Sequence, residues 1–310
     1  MPLDNATPRV TSSAIVSVRP SVPVSDARVD SRVRTETQPA AHPERDVPAA
    51  SPDVQGSQDL RRIAIDKVGI KDLRYPVKIE DRGGRQQTSV AQCNMYVSLP
   101  HHQKGTHMSR LLEILNARDR VLSALSFREL LDQVASRLEA EESFVEMAFP
   151  YFVEKHAPVS GVRSIMDYQV GFTGSARQGV HRHWTRVTVP ATSLSLSSKK
   201  VARYGAQNQR VHISLTVESH EVVWIEDLID LAEGQASSEL YGVLKRPDEK
   251  FVTERAYNNP KFVEDLARDA ALALAADARV VAYLVEVESF ESSHNHSGFA
   301  AIASPTWRPL

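Results

Sequence analysis

Only one cysteine, Cys93, stands in the 310 residues, so no disulfide can form within the chain. A disulfide scaffold is excluded, and a reducing compartment, the cytoplasm, is the expected location. No apolar run approaches the ~18 residues that a helical membrane span needs. The N-terminus also lacks a basic stretch followed by an apolar one. Neither a membrane partner nor secretion is expected. Charge of one sign is not in excess: 37 Lys and Arg face 39 Asp and Glu. Without a basic surplus there is no electrostatic footprint for nucleic acid. The generic site signatures are missing too. There is no G-x-x-x-x-G-K-[ST], no strand-linked G-x-G-x-x-G, no H-E-x-x-H and no paired C-x-x-C. Phosphate-binding-loop ATPases, dinucleotide enzymes and the common zinc motifs are thereby set aside.

Residues 1 to about 57 lack Phe, Trp, Tyr and Lys, and carry eight of the seventeen prolines. Their valines are scattered among Ser, Pro, Asp and Arg. Such a stretch cannot bury enough surface to offset its ordering entropy, which predicts a disordered tail. A transit peptide would be poor in acid, and Asp26, Asp30, Glu36 and Asp46 count against one. One domain is expected over residues 58–310.

Within that domain, Ser89 to Leu99 alternates. Ala91, Cys93, Met95, Val97 and Leu99 share one face, as in a half-buried strand. Cys93 falls on the apolar side and reads as a buried structural thiol rather than a nucleophile. Gly83-Gly84 suggests a hairpin turn after a strand over Leu73–Glu80. Ser126 to Glu139 reads as a helix, with Ser126 and Glu129 at capping-box spacing and Leu130, Leu131, Val134 and Leu138 as its stripe. Strands over Ile165–Phe172 and Val180–Val189 flank a turn of sequence Gly-Ser-Ala-Arg-Gln-Gly. A strand over Val211–Val217 follows, then a helix near Trp224–Glu233, another from Lys261 to Ala276, and a strand from Val280 to Glu288. The order predicts an α+β protein, an antiparallel sheet with helices on one face. It hints at one strand–strand–helix–helix–strand–strand unit used twice, though no sequence repeat supports this.

Histidines cluster as His101, His102 and His107; as His181 and His183; and as His294 and His296. A cluster can bind metal, but composition alone favours solvated side chains at each position.

A set of segments carries more. In order they are Val68-Gly69-Ile70 leading to Tyr75-Pro76, then Lys104-Gly105-Thr106-His107-Met108-Ser109-Arg110, then Ala157-Pro158-Val159-Ser160. Tyr204-Gly205-Ala206 with Asn208-Gln209-Arg210 follows, then Leu244-Lys245-Arg246-Pro247-Asp248-Glu249 with Val252-Thr253-Glu254. Phe262-Val263-Glu264-Asp265 and Glu291-Ser292 with His294-Asn295-His296 complete it. Over roughly residues 60 to 300 this set resembles the type IB GTP cyclohydrolases.

The resemblance implies a tunnelling fold of two similar modules per chain, assembled into an oligomeric barrel, a homotetramer. It implies conversion of GTP and water to 7,8-dihydroneopterin triphosphate and formate, the entry to folate synthesis. That chemistry explains the residue types. Water attacks C8 of guanine, and a metal that lowers the pKa of bound water supplies the nucleophile. A histidine suits the proton transfers at N7 and the ribose oxygen. A carboxylate can hold the base edge by a two-point contact. On this resemblance Glu264 is the base-anchoring carboxylate, His294 the acid–base histidine with Glu291 close to it, and Glu249 a metal ligand. As isolated residues they read as a first-turn helix acid, a turn histidine and an exposed loop acid. Lys104, Arg110, Lys199 and Arg210 are candidates for triphosphate contacts.

The chain departs from the family at one place. The family segment reads Leu-Cys-Pro-Cys-Ser-Lys, followed by Gly-Ala-His-Asn-Gln-Arg. Here the first cysteine, a metal ligand, is Ser195; the second is Ser197; the ligand histidine is Gln207. Hydroxyl, amide and carboxylate oxygens suit Mn²⁺ or Mg²⁺ better than Zn²⁺. Three functions follow from the sequence: a GTP cyclohydrolase with an altered metal site, a tunnelling-fold enzyme acting on another purine or pterin, or a non-catalytic paralogue that binds a nucleotide.

Overall fold

The structure, a computed structural model, describes residues 55–116 and 121–309. The predicted tail lies outside these residues except for its last three. Those three are tied down: the Gly105 amide donates to the Gln55 carbonyl and the Lys104 amide to that of Ser57, each at 3.0 Å.

The chain runs β1 (Ile65–Glu80), β2 (Gln86–Leu99), α1 (Met108–Asn116), β3 (Val121–Leu122), α2 (Ala124–Arg137), β4 (Glu142–His156) and β5 (Arg163–Arg177). It continues with β6 (Val180–Leu194), α3 (Leu196–Val201), β7 (Asn208–Ser219), α4 (Ile225–Gln235), β8 (Ser238–Glu239), α5 (Arg246–Asn258), α6 (Val263–Ala276), β9 (Val280–Phe290) and β10 (Ser297–Ala303). One antiparallel sheet holds the long strands in the order β10-β9-β7-β6-β5-β4-β2-β1. Leaving aside the short elements and α5, each half is strand–strand–helix–helix–strand–strand, the arrangement the sequence order hinted at. The α+β class stands as expected. No helix among the described residues is long and apolar enough to cross a membrane.

One face of the sheet carries the core. Met95 opposes Val145 across β2 and β4, Val170 opposes Val187 across β5 and β6, and Leu215 opposes both Val187 and Val285. All are buried, and α2, α4 and α6 lay Leu130, Leu131, Leu228, Ile229, Leu266 and Leu274 against them. Phe127 of α2 sits 5.5 Å from Phe172, which sits 5.5 Å from Phe149. Burying each such ring stabilises by roughly 1.5–3 kcal/mol. Cys93 is fully buried as expected, and burial pushes its thiol up to about 11.

Several local expectations shift. The hairpin turn at Gly83-Gly84 forms, with Gly84 at φ 75° and the Asp81 carboxylate accepting the Gly83 and Arg85 amides at 2.8 Å. The capping box of α2 uses Ser123 and Ser126, not Ser126 and Glu129. Each serine side chain takes the other's amide, at 3.3 and 2.9 Å. Gly174 lies inside β5 rather than in a turn. A Cβ there would come within 2.9 Å of Phe127 and Leu131, so its hydrogen is what lets α2 pack closely on the sheet. Strand β4 escaped the sequence pattern because Pro150 interrupts it and both faces carry apolar residues. Proline is tolerated in this interior strand because the backbone ladder with β2 ends at Ala148; beyond it β2 binds through side chains, Ser89 Oγ donating to the Pro150 carbonyl at 2.7 Å, and no N–H is needed from Pro150.

Candidate functional site

The C-terminal end of β6, the N-terminal ends of β7 and α6, and the C-terminal end of β9 meet at a cleft of about 380 Å³. Ser195, Ser197, Gln207, Glu264, Glu291 and His294 all line it. Six of the eleven site residues expected from sequence are therefore brought together, from segments up to about a hundred residues apart.

Each is placed by ordinary local chemistry. Ser195 ends β6 and caps α3: its side-chain oxygen accepts the Ser198 amide at 3.2 Å. Ser198 Oγ donates back to the Ser195 carbonyl at 3.0 Å and accepts the Gln207 amide at 2.9 Å. The Ser195 amide donates to the Gln207 carbonyl at 3.0 Å. The segment between positions 195 and 207 is thus closed on itself by serine hydroxyls. The start of α6 is fixed to the same strand end. The Lys261 amide donates to the Leu194 carbonyl at 3.1 Å, and Ser193 Oγ donates to the Lys261 carbonyl at 2.9 Å.

Glu264 is the second residue of α6, where the helix dipole favours an anion. Its neighbour Asp265 performs the capping, accepting the Phe262 amide at 3.1 Å. That leaves the Glu264 carboxylate exposed and without a hydrogen-bond or ion-pair partner among the described residues. A carboxylate held on a rigid helix with its lone pairs free is suited to accept from a ligand. Glu291 is the opposite case. Gln209 Nε2 donates to its Oε2, and Ser289 Oγ lies 3.4 Å from its Oε1. Its Oε2 is 3.9 Å from Nδ1 of His294, whose ring is more than half exposed. Glu291 thus stands beside His294, while the imidazole reaches the open cleft.

Gln209 and Ser289 were not singled out from sequence. Both are buried, and Ser289 Oγ donates to Gln209 Oε1 at 3.0 Å. A signal existed. Gln209 has the inward parity of Val211, Ile213 and Leu215, and Ser289 that of Val285 and Val287. Polar groups at core-facing strand positions must find partners. Lys261 also lines the cleft, with its ammonium spent on Asp269 at 2.8 Å and the Gln235 carbonyl at 2.7 Å.

Five expected residues lie outside the lining. Glu249 sits exposed in the first turn of α5, a helix rather than the loop expected after Pro247. Its neighbour Asp248 is the buried one, accepting the amides of Val159, Ser160 and Lys245 at 2.8 Å and the Ser160 hydroxyl at 2.6 Å. Burial works to raise the pKa of Asp248, but these hydrogen bonds together hold it well below the usual carboxylate range. Lys199 turns to α5, donating to the Tyr257 carbonyl with its ammonium 4.1 Å over the Tyr257 ring. Arg210 has the opposite parity to Gln209 and is exposed. Lys104 and Arg110 stand at the other end of the sheet. Register pairs Val97 with Ser143, Ser143 with Ala176 and Ala176 with His181, which places the end of β2 beside the start of β6. The two ends of β6 are roughly 45 Å apart. His181 and His183 lie at that far end as well, out of reach of Ser195.

The donor set does not fit the metal that the family resemblance implies. A thiolate and an imidazole are replaced by Ser195, whose oxygen already caps a helix, and by the exposed amide of Gln207. Among the described residues no three His, Cys, Asp or Glu side chains converge to hold an ion. Neutral oxygens without convergent carboxylates make a poor zinc site.

Comparison with known proteins bears on this cleft. Residues 51–300 match the family model described as type I GTP cyclohydrolase folE2. The GTP cyclohydrolase FolE2 of Thiobacillus denitrificans is 55% identical over 257 residues, covering 83% of this chain and 96% of that protein. The GTP cyclohydrolase FolE2 of Azoarcus sp. (strain BH72) is 58% identical over 254 residues, covering 82% and 94%. That of Nitrosomonas eutropha is 57% identical over 251 residues, covering 81% and 94%.

Proposed function

The chain belongs to the FolE2 family of type I GTP cyclohydrolases, and we propose that it is a GTP cyclohydrolase, opening the guanine imidazole ring to give 7,8-dihydroneopterin triphosphate and formate. This is the entry reaction of folate synthesis. The observation that carries the proposal is the meeting of Glu264, Glu291 and His294 in one cleft. The free Glu264 carboxylate accepts from guanine N1–H and the exocyclic amine, holding the base by two charge-assisted hydrogen bonds. His294, oriented by Glu291, moves protons at N7 and the ribose oxygen. Gln209 and Ser289 keep Glu291 in place.

Lys199 and Arg210 adjoin the cleft residues Ser198 and Gln209 and are the triphosphate candidates within one protomer. Lys104 and Arg110 can contribute only from a second copy of the chain. That supports a homo-oligomer, which we propose is a homotetramer; β10 and β1, the latter paired by β3 only at Lys78 and Ile79, offer the surfaces for it. The family is metal-dependent; of the expected donors Ser195 and Gln207 line the cleft and Glu249 does not, and oxygen donors of this kind would suit Mn²⁺ or Mg²⁺ rather than Zn²⁺. The enzyme is assigned to the cytoplasm, where Cys93 stays reduced.

The test is GTP turnover by metal-stripped protein re-supplied in turn with Zn²⁺, Mn²⁺ and Mg²⁺, followed by pterin fluorescence. Turnover that disappears in Glu264→Gln is the expected result. Tight GTP binding with no pterin under any metal would replace the proposal by a nucleotide-binding paralogue without turnover.

A further inference from the structure

At the far end of the sheet, where α2 starts beside the beginning of β6, lies a second hollow of about 190 Å³. Ala124, Arg128, His183, His220, Glu221 and Val222 line it. It shares no residue with the catalytic cleft, and three observations there point to an absent acceptor.

The first is Arg128. Its Nη2 donates to the Ser219 carbonyl at 3.2 Å, but its Nε is buried and has no hydrogen-bond partner. Among the described residues no carboxylate forms an ion pair with it. The second is His183. Its side chain is only 4% exposed, and its imidazole makes no hydrogen bond to any described residue. Burial and then the Arg128 charge push its pKa down to about 4, so at neutral pH the ring is uncharged and offers one N–H. The third is α2 itself. Ala124 is the first residue of this 14-residue helix, and the first-turn amides carry the positive end of its dipole.

The surrounding charges leave this set uncompensated. His181, two residues along β6, is occupied by Asp132 of α2 at 2.6 Å. Glu221, the carboxylate that lines the hollow, is exposed and unpaired with Arg128. His220 is exposed beside it. Buried polar groups normally have partners, and a cationic donor, a neutral N–H and a helix start facing one space share a single complementary ligand.

We propose that this hollow binds one small oxyanion, a phosphate-type or carboxylate group, between the Arg128 guanidinium, the His183 imidazole N–H and the first turn of α2. The volume of about 190 Å³ is ample for one such group. The site is independent of the catalytic cleft and does not rest on the proposed activity.

The test uses the whole protein. Melting temperature is followed while inorganic phosphate, and in a parallel arm acetate, is titrated at constant ionic strength in wild type, Arg128→Gln and His183→Phe. Saturable stabilisation in one arm is expected in wild type, with the apparent affinity at least tenfold weaker in both variants; the arm that responds identifies the oxyanion class. Crystals of the wild type soaked in selenate should show an anomalous selenium peak roughly 4 Å from the Arg128 guanidinium, with a selenate oxygen at hydrogen-bond distance from it. If a variant fails to fold, that peak decides. Identical titrations in wild type and variants, or a selenate soak with no peak at Arg128, would overturn the proposal.

Discussion

A serine hydroxyl stays protonated at neutral pH, whereas a cysteine beside a metal gives up its proton and binds as a thiolate. Ser195 therefore does what an uncharged hydroxyl does best and caps a helix, and Ser198 closes the same segment onto Gln207. The triple variant Ser195→Cys, Ser197→Cys, Gln207→His restores the family's donors. It is expected to retain about one zinc per chain after dialysis against a chelator, where wild type retains none; metal analysis of the two proteins checks this. Asp248 gives a second prediction at the same scale. Its folded pKa lies below the unfolded value of 3.8, so its contribution is present above that value and is lost as pH falls through the folded one. Asp248→Asn should lower the melting temperature at neutral pH. The gap to wild type should narrow as pH drops below 3.8, whereas a constant gap across the titration would count against this account.

Between elements, the most consequential polar join is that of α4 with β4 and β5. Glu233 of α4 accepts from Lys155 of β4 at 2.7 Å and from the Tyr168 hydroxyl of β5 at 2.7 Å. Both partners of the ion pair are nearly buried. Glu233→Gln leaves the Lys155 ammonium without a counter-charge in that setting, which costs about 3–5 kcal/mol. Urea denaturation should show a lower midpoint of that order, and a double variant with Lys155→Met should recover part of it. Helix ends tell a related story. Pro247 with Asp248 and Glu249 in the next positions is a start signal for α5 that the sequence displays plainly. The strand pattern was harder where prolines intervene. Pro150 in β4 and Pro190 in β6 each sit just past the end of a neighbour's ladder, and only the register reveals that their missing N–H is not needed.

For the whole molecule, the sheet's two edges and the distribution of cations set the prediction. The cleft lies at one end of the sheet and Lys104 with Arg110 at the other, so these two could join a pocket at the cleft only from another copy of the chain. Light scattering on the purified protein should return four times the chain's 34.4 kDa. A monomer that turns over GTP would remove Lys104 and Arg110 from the pocket.

The sequence by itself determined the α+β class, the inward face of β2 with Cys93, the helices α2, α4 and α6 and the family, because these follow from local periodicity and from motifs whose residue order is preserved. It also named Glu264, Glu291, His294, Ser195, Ser197 and Gln207, which the structure gathers into one cleft. Only the tertiary structure separated Lys104 and Arg110 from that cleft, turned Glu249 outward while Asp248 turned in, and brought Gln209 and Ser289 beneath Glu291. Arg128 and His183 likewise share a hollow only once α2 lies across the sheet. Local alternation gives the inward face of a strand, but which strands pair, in what register, and which ends of distant segments meet are set by packing between them, and no local pattern encodes that.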